Sequence, residues 1–165
     1  MKKLLFLFCL LSWSVLHAQK TINRPPFIAK ATETIEIAAV HLSDTATVID
    51  VDAKFTPKYW IRIAPATCLV ADNGERYQVR QGVGIELGQE FWMPESGEAT
   101  FSLIFPPLPP SVKSFDFVEG EGERDFNLFG ISLTGKLPKL QLPKGLEKAG
   151  KMTAVALPTP EIKEG

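Results

Sequence analysis

Between residues 34 and 135, apolar and polar side chains alternate with a period of two, and helical spacing is hard to find. Thr45 to Phe55 is the clearest case. Ile49, Val51, Ala53 and Phe55 share one phase, while Asp50, Asp52 and Lys54 share the other. Successive side chains of a strand project to opposite faces of the pleat, so the segment predicts a half-buried strand. Glu98 to Phe105 alternates in the same way and sets Phe101, Leu103 and Phe105 on one face.

Thr34 to Leu42 is apolar at Ile35 and Ile37 and then at Val40 and Leu42, so the phase slips between Ala38 and Ala39. A one-residue slip turns core side chains to solvent unless an extra residue is absorbed locally. The slip therefore predicts a β-bulge at Ala38-Ala39. His41 then falls on the outward phase, and residues 41–45 supply a tight turn. Tyr59 to Ile63, after Pro57, predicts a short strand bearing Trp60. Residues 68–71 and 76–79 flank Asp72-Asn73-Gly74, a strong hairpin signal because Asn-Gly accepts positive φ angles. Cys68 falls in the first arm as a buried, inert thiol, and Val83-Gly84-Ile85 extends the second.

Gln89 to Gly97 reads as a loop. Pro106-Pro107-Leu108-Pro109-Pro110 is short of backbone donors and forms a stiff connection. Ser114 to Val118 and Phe126 to Leu133 are the last strands, joined by an acidic, glycine-rich loop. The prediction is an all-β fold, an immunoglobulin-like β-sandwich of seven to eight antiparallel strands, with a small barrel as the competing architecture. Its expected core includes Ile35, Ile37, Val40, Leu42, Ile49, Val51, Trp60, Tyr77, Phe101, Leu103, Phe105, Phe117, Phe129 and Ile131.

The two ends depart from this texture. Met1-Lys2-Lys3 precedes an apolar run from Leu4 to Leu16, followed by Ala18 and polar Gln19-Lys20. A spanning helix wants about 20 apolar residues, so residues 1–18 read as a signal peptide cleaved after Ala18. Cys9 lies in the middle of that run, not at its end, which argues against a lipoprotein signal. Residues 19–33 form an extended segment, 34–135 the sandwich, and 136–165 a Pro/Lys-rich linker or tail. A linker of this kind implies a further domain that once followed or still does.

Charge and composition narrow the chemistry. Residues 19–135 carry 10 Lys/Arg against 16 Asp/Glu, an acidic balance that disfavours nucleic acid. Residues 136–165 carry 6 against 3, lysines dispersed among prolines like a solvated linker. Signal cleavage leaves one cysteine, Cys68, and one histidine, His41, too few for an internal disulfide, a Cys-x-x-Cys pair or a nitrogen–sulfur zinc site. Asp116, Glu119, Glu121, Glu123 and Asp125 raise the idea of calcium, but their spacing does not match an EF-hand loop. No Gly-x-Ser-x-Gly elbow partners His41, and Gly82-x-Gly84 lacks a third glycine and a following helix. No catalytic, cofactor-binding or metal-ligating residue is assigned, and no cofactor is expected.

Four aromatic residues, Tyr59, Trp60, Phe91 and Trp92, raise a different possibility. Trp60 reads as core and Trp92 as a cap on one end of the sandwich, but Phe91-Trp92 falls in a loop, where the pair offers a surface for stacking on a ligand such as a sugar ring.

Three C-terminal blocks are distinctive: Phe101-Ser-Leu-Ile-Phe-Pro-Pro-Leu-Pro109, Phe115-Asp-Phe-Val-Glu-Gly120 and Phe129-Gly-Ile-Ser-Leu133. Together with the Lys-Leu-Pro…Leu-Pro linker and Leu157-Pro-Thr-Pro, they make residues 21–165 resemble the N-terminal, non-thioredoxin region of TlpA-like thiol-disulfide oxidoreductases exported by Bacteroides-type bacteria. The resemblance implies a periplasmic or cell-envelope location. It also implies that a second β domain, a helical region and a thioredoxin fold with its Cys-x-x-Cys pair would follow; none is present here, and Cys68 matches no position of that redox motif. The expected function is thus a non-catalytic accessory or interaction module. Its partner is a protein or a downstream domain, or alternatively a glycan. Nucleic acid is not expected as a partner, nor a membrane once the signal is removed.

Overall fold

The computed structural model describes residues 19–137, apart from 121, 123 and 124. The expected signal peptide with Cys9, the tail from residue 138 onward, and Glu121 and Glu123 lie outside the described residues.

The described residues contain twelve strands and no helix, so none is long and apolar enough to cross a membrane. In order they are β1 (Lys20–Asn23), β2 (Ala29–Lys30), β3 (Ile35–Leu42), β4 (Thr47–Lys54), β5 (Trp60–Ile61), β6 (Cys68–Ala71), β7 (Arg76–Gln78), β8 (Gln81–Val83), β9 (Phe91–Trp92), β10 (Glu98–Phe105), β11 (Ser114–Val118) and β12 (Leu128–Ser132). One five-stranded sheet has the order β1-β3-β4-β10-β8 and a second has β2-β12-β11-β6-β7. β5 and β9 form a separate two-stranded ribbon. Every pairing is antiparallel.

The alternation places the core as the sequence predicts. In β4 Ile49, Val51 and Ala53 are buried, and in β10 Phe101, Leu103 and Phe105 are buried opposite them. They join one continuous cluster with Leu69, Phe115, Phe117, Leu128 and Ile131 of the second sheet. Phe105 and Phe117 meet edge to face across the two sheets, with ring centroids 6.3 Å apart. Two antiparallel sheets sharing one core make the molecule sandwich-like.

Local chemistry fixes the register. In the β3–β4 pair Ile37 opposes Val51 and Ala39 opposes Asp50, so Ala38 is the extra residue of the expected bulge. Val40 is fully buried immediately after it. The β6–β7 hairpin turns through Asp72-Asn73-Gly74, where Gly74 has φ 86° and donates its N–H to the Ala71 carbonyl at 2.8 Å. Only Gly74 takes the positive φ, so the connection is a three-residue loop with a left-handed last position, not a two-residue Asn-Gly turn. Between β10 and β11 Leu108 and Val112 are buried, which holds the proline-rich connection against the core.

Five expectations are corrected. The strands number twelve rather than seven or eight, because short pairs such as β2, β5 and β9 carry too few residues to display a period. Val83-Gly84-Ile85 does not extend the 68–79 hairpin, because Val83 ends β8, which pairs with β10. The chain leaves the second sheet after β7, and the Arg80 backbone N–H donates to the Ile104 carbonyl at 2.7 Å as β8 joins the first. Phe129 is exposed because the β11–β12 register shifts, Phe115 facing Ile131 while Phe117 faces Leu128, and Leu128 takes the buried place. Trp60 is exposed, whereas Ile61 and Ile63 are buried. Leu42 and Tyr77 pack only partly against the core.

Candidate binding face

Apolar side chains that folding leaves exposed draw attention to the β5–β9 ribbon. Trp60 pairs with Trp92 and Ile61 with Phe91. Directly opposed residues of an antiparallel pair project to one face. Ile61 is buried and Phe91 half-buried against Phe101, with centroids 6.3 Å apart, so that face points into the core. Trp60 and Trp92 consequently share the outer face, at 38% and 60% exposure. Phe91 and Trp92, expected in a loop, instead form strand β9, which presents Trp92 to solvent and leaves Phe91 to back it. The residue that joins Trp92 on this face is Trp60, which is expected from the sequence in the core.

The surroundings extend this aromatic surface. Tyr59, 59% exposed, meets Phe55 edge to face at 6.2 Å. Phe55 lies just past the end of β4, where its N–H donates to the Gly97 carbonyl at 2.9 Å. Gly97 has φ 69°, and a Cβ there would run into the Phe55 carbonyl, so glycine permits this close approach. Lys58 beside Tyr59 is held by Glu95 at 2.8 Å.

Beside the ribbon lies an open cleft of about 510 Å³. Phe55, Trp60 and Phe126 contribute apolar surface, and Thr32, Thr34, Arg62, Glu119 and Asp125 contribute polar groups. Glu119 is its best-anchored polar side chain. One carboxylate oxygen accepts the Ala64 N–H at 2.7 Å, and the other accepts the Phe126 N–H at 2.8 Å. Its own N–H donates to Asn127 Oδ1 at 2.9 Å. Burial pushes the carboxyl above its ordinary pKa; the two backbone donors oppose this, nearby Asp125 adds to it, and Arg62 opposes it. The rise survives the opposing donors, so burial dominates.

The remaining candidates are placed elsewhere. His41 Nε2 lies 2.8 Å from Asp50 Oδ2 and Nδ1 lies 3.0 Å from Thr21 Oγ1 on the outer face of the first sheet. Ser102 donates to the other Asp50 oxygen at 2.7 Å. Burial tends to raise the Asp50 pKa, but the Ser102 and His41 hydrogen bonds and the His41 charge outweigh it and hold the carboxyl below its usual range. Cys68 is buried in the second sheet, where Arg76 Nη2 donates to its sulfur at 3.1 Å. Cys68 and His41 therefore belong to different sheets and do not converge.

In the acidic loop Asp116 accepts the Gly130 N–H at 2.7 Å, and Asp125 accepts the Gly122 N–H at the same distance. These carboxylates serve backbone donors, and among the described residues no group of three or more His, Cys, Asp or Glu is placed to hold a metal ion. Gly82 and Gly84 flank the end of β8 and are followed by no helix.

Comparison with protein-family models, with curated proteins and with solved structures finds no match.

Proposed function

We propose that this chain is an exported, non-catalytic accessory module, an immunoglobulin-like β-sandwich that works by surface contact in the periplasm or cell envelope. The single observation that carries the reading is the outward-facing pair Trp60 and Trp92, a large aromatic surface that nothing in the surrounding ribbon covers. Soluble domains seldom expose contiguous large apolar groups without a partner for them. The immunoglobulin-like assignment is supported by two antiparallel five-stranded sheets packed on one core, between which the chain passes repeatedly. The proposed location draws on the apolar leader and on the resemblance to TlpA-like proteins, in which such a module precedes the thioredoxin fold.

A contact role is tested by placing a photo-reactive residue at position 92 in the secreted chain. Adduct formation with a defined envelope component is expected, and loss of the adduct on Trp60→Ala. An insulin-reduction assay on the same chain is expected to show no turnover. Clear turnover would overthrow the non-catalytic assignment. The second reading, a ligand-binding module, is favoured by the polar cleft that borders the tryptophan pair.

A further inference from the structure

We infer that Trp60, Trp92 and the cleft beside them form a carbohydrate-binding site that takes a short, uncharged stretch of a glycan chain. The inference rests on reading the aromatic face as the contact surface of the module, and it names the chemistry of the occupant.

A pyranose ring has an apolar face of C–H groups and a rim of hydroxyls, so a site for it needs a flat apolar platform next to polar groups. The β5–β9 ribbon supplies the platform. Cβ atoms of directly opposed residues lie about 4.5–5.5 Å apart, so the two indoles rise from neighbouring points of one face. Buried Ile61 and Met93, together with Phe91, anchor the ribbon from beneath, so the indoles stand on a packed base and not on a loose loop.

The cleft supplies the rim contacts. Its volume, about 510 Å³, lies within the range of about 300–1,000 Å³ typical of small-ligand sites. Trp60 belongs to both surfaces, so a chain stacked on the indoles continues directly into the cleft. Each Glu119 oxygen already accepts one backbone N–H and keeps a second lone pair. The carboxylate is thus oriented before any ligand arrives. Hydroxyls donate to Glu119 and Asp125 and accept from Arg62, a combination that planar charged side chains make well.

Charge selects against other occupants. One guanidinium stands among two carboxylates in the cleft, and Lys58 beside Tyr59 is matched by Glu95. An anionic membrane surface requires an excess of cations, which the described residues of this face do not offer. A peptide docking through apolar side chains alone would desolvate the Arg62 guanidinium and the remaining lone pairs of Glu119 and Asp125 with nothing polar in exchange. A neutral polyhydroxylated chain satisfies both halves.

The test is native affinity electrophoresis of the secreted chain through gels containing neutral polysaccharides (xyloglucan, glucomannan, pullulan and dextran), with tryptophan fluorescence titration of matching oligosaccharides. Retardation in at least one gel is expected, with a fluorescence change on titration. Trp92→Ala and Trp60→Ala should each weaken binding about tenfold, and Arg62→Ala should weaken it without altering the thermal midpoint. Absence of retardation in every gel, or retardation that both tryptophan variants retain, overturns the inference. Failure of the unsubstituted chain to bind any of the four polysaccharides, with a protein adduct formed at position 92, overturns it yet leaves the contact role standing.

Discussion

Leu108 donates its backbone N–H to Thr47 Oγ1 at 3.0 Å, and both residues are buried. Leu108 is flanked by two prolines on each side, so its N–H is the only donor that residues 106–110 possess. The start of β4 thereby holds the stiff connection that carries the chain from one sheet to the other. Thr47→Val keeps the volume but removes the acceptor, and it should cost about 1–3 kcal/mol. Thr47→Ser should cost less, because the hydroxyl remains. Urea unfolding of both variants checks the ordering.

Exposure of the tryptophan pair separates stability from binding. Trp92→Ala removes a side chain that is mostly exposed and should destabilise by less than about 1 kcal/mol, while Trp60→Ala, at a residue more than half buried, should cost about 1–2 kcal/mol. Leu103→Ala empties a fully buried site and should cost about 2–5 kcal/mol. Chemical denaturation monitored by circular dichroism compares the three directly. A loss at Trp92 equal to that at Leu103 would contradict the exposed placement.

Asp50 links three strands through His41 and Ser102, and its folded pKa lies below the ordinary value of 3.8. A depressed acid stabilises the fold above its unfolded pKa and loses that contribution as pH falls through the folded value. The Asp50 side chain is 40% exposed, so solvent screening limits the effect to about 1 kcal/mol or less. Asp50→Asn should therefore be slightly less stable than the parent at neutral pH. The gap should close in acid below the folded pKa, and it should narrow in high salt. Thermal midpoints across the acid range read this out.

Cys68 is 4% exposed and covered by the Arg76 side chain. A thiol reagent should label it slowly in the native chain and fully only with denaturant present. Rapid labelling of the folded protein would show that the β6–β7 edge opens readily.

The placement of Trp60 was legible in the sequence. In Tyr59-Trp-Ile-Arg-Ile63, Trp60 shares its phase with Arg62, while Ile61 and Ile63 share the other, so the alternation already points Trp60 outward. The size of the indole suggests core, but phase decides. Trp92 next to buried Met93 follows the same logic. Phe129 was not legible, because its exposure depends on a register shift against β11 that only the paired strand imposes.

Alternation, turn residues and proline placement along the chain determined that it is all-β, where the long strands β3, β4, β10 and β11 run, and that a bulge falls at Ala38. Those features arise from neighbours in sequence, whose pleat and φ preferences are local. Tertiary structure alone decided that β8 leaves its apparent hairpin for the other sheet, that Trp60 meets Trp92, and that Glu119 anchors a cleft beside them. Each of those depends on residues about 20 to 55 positions apart, brought together by burial of a shared core that no local pattern records.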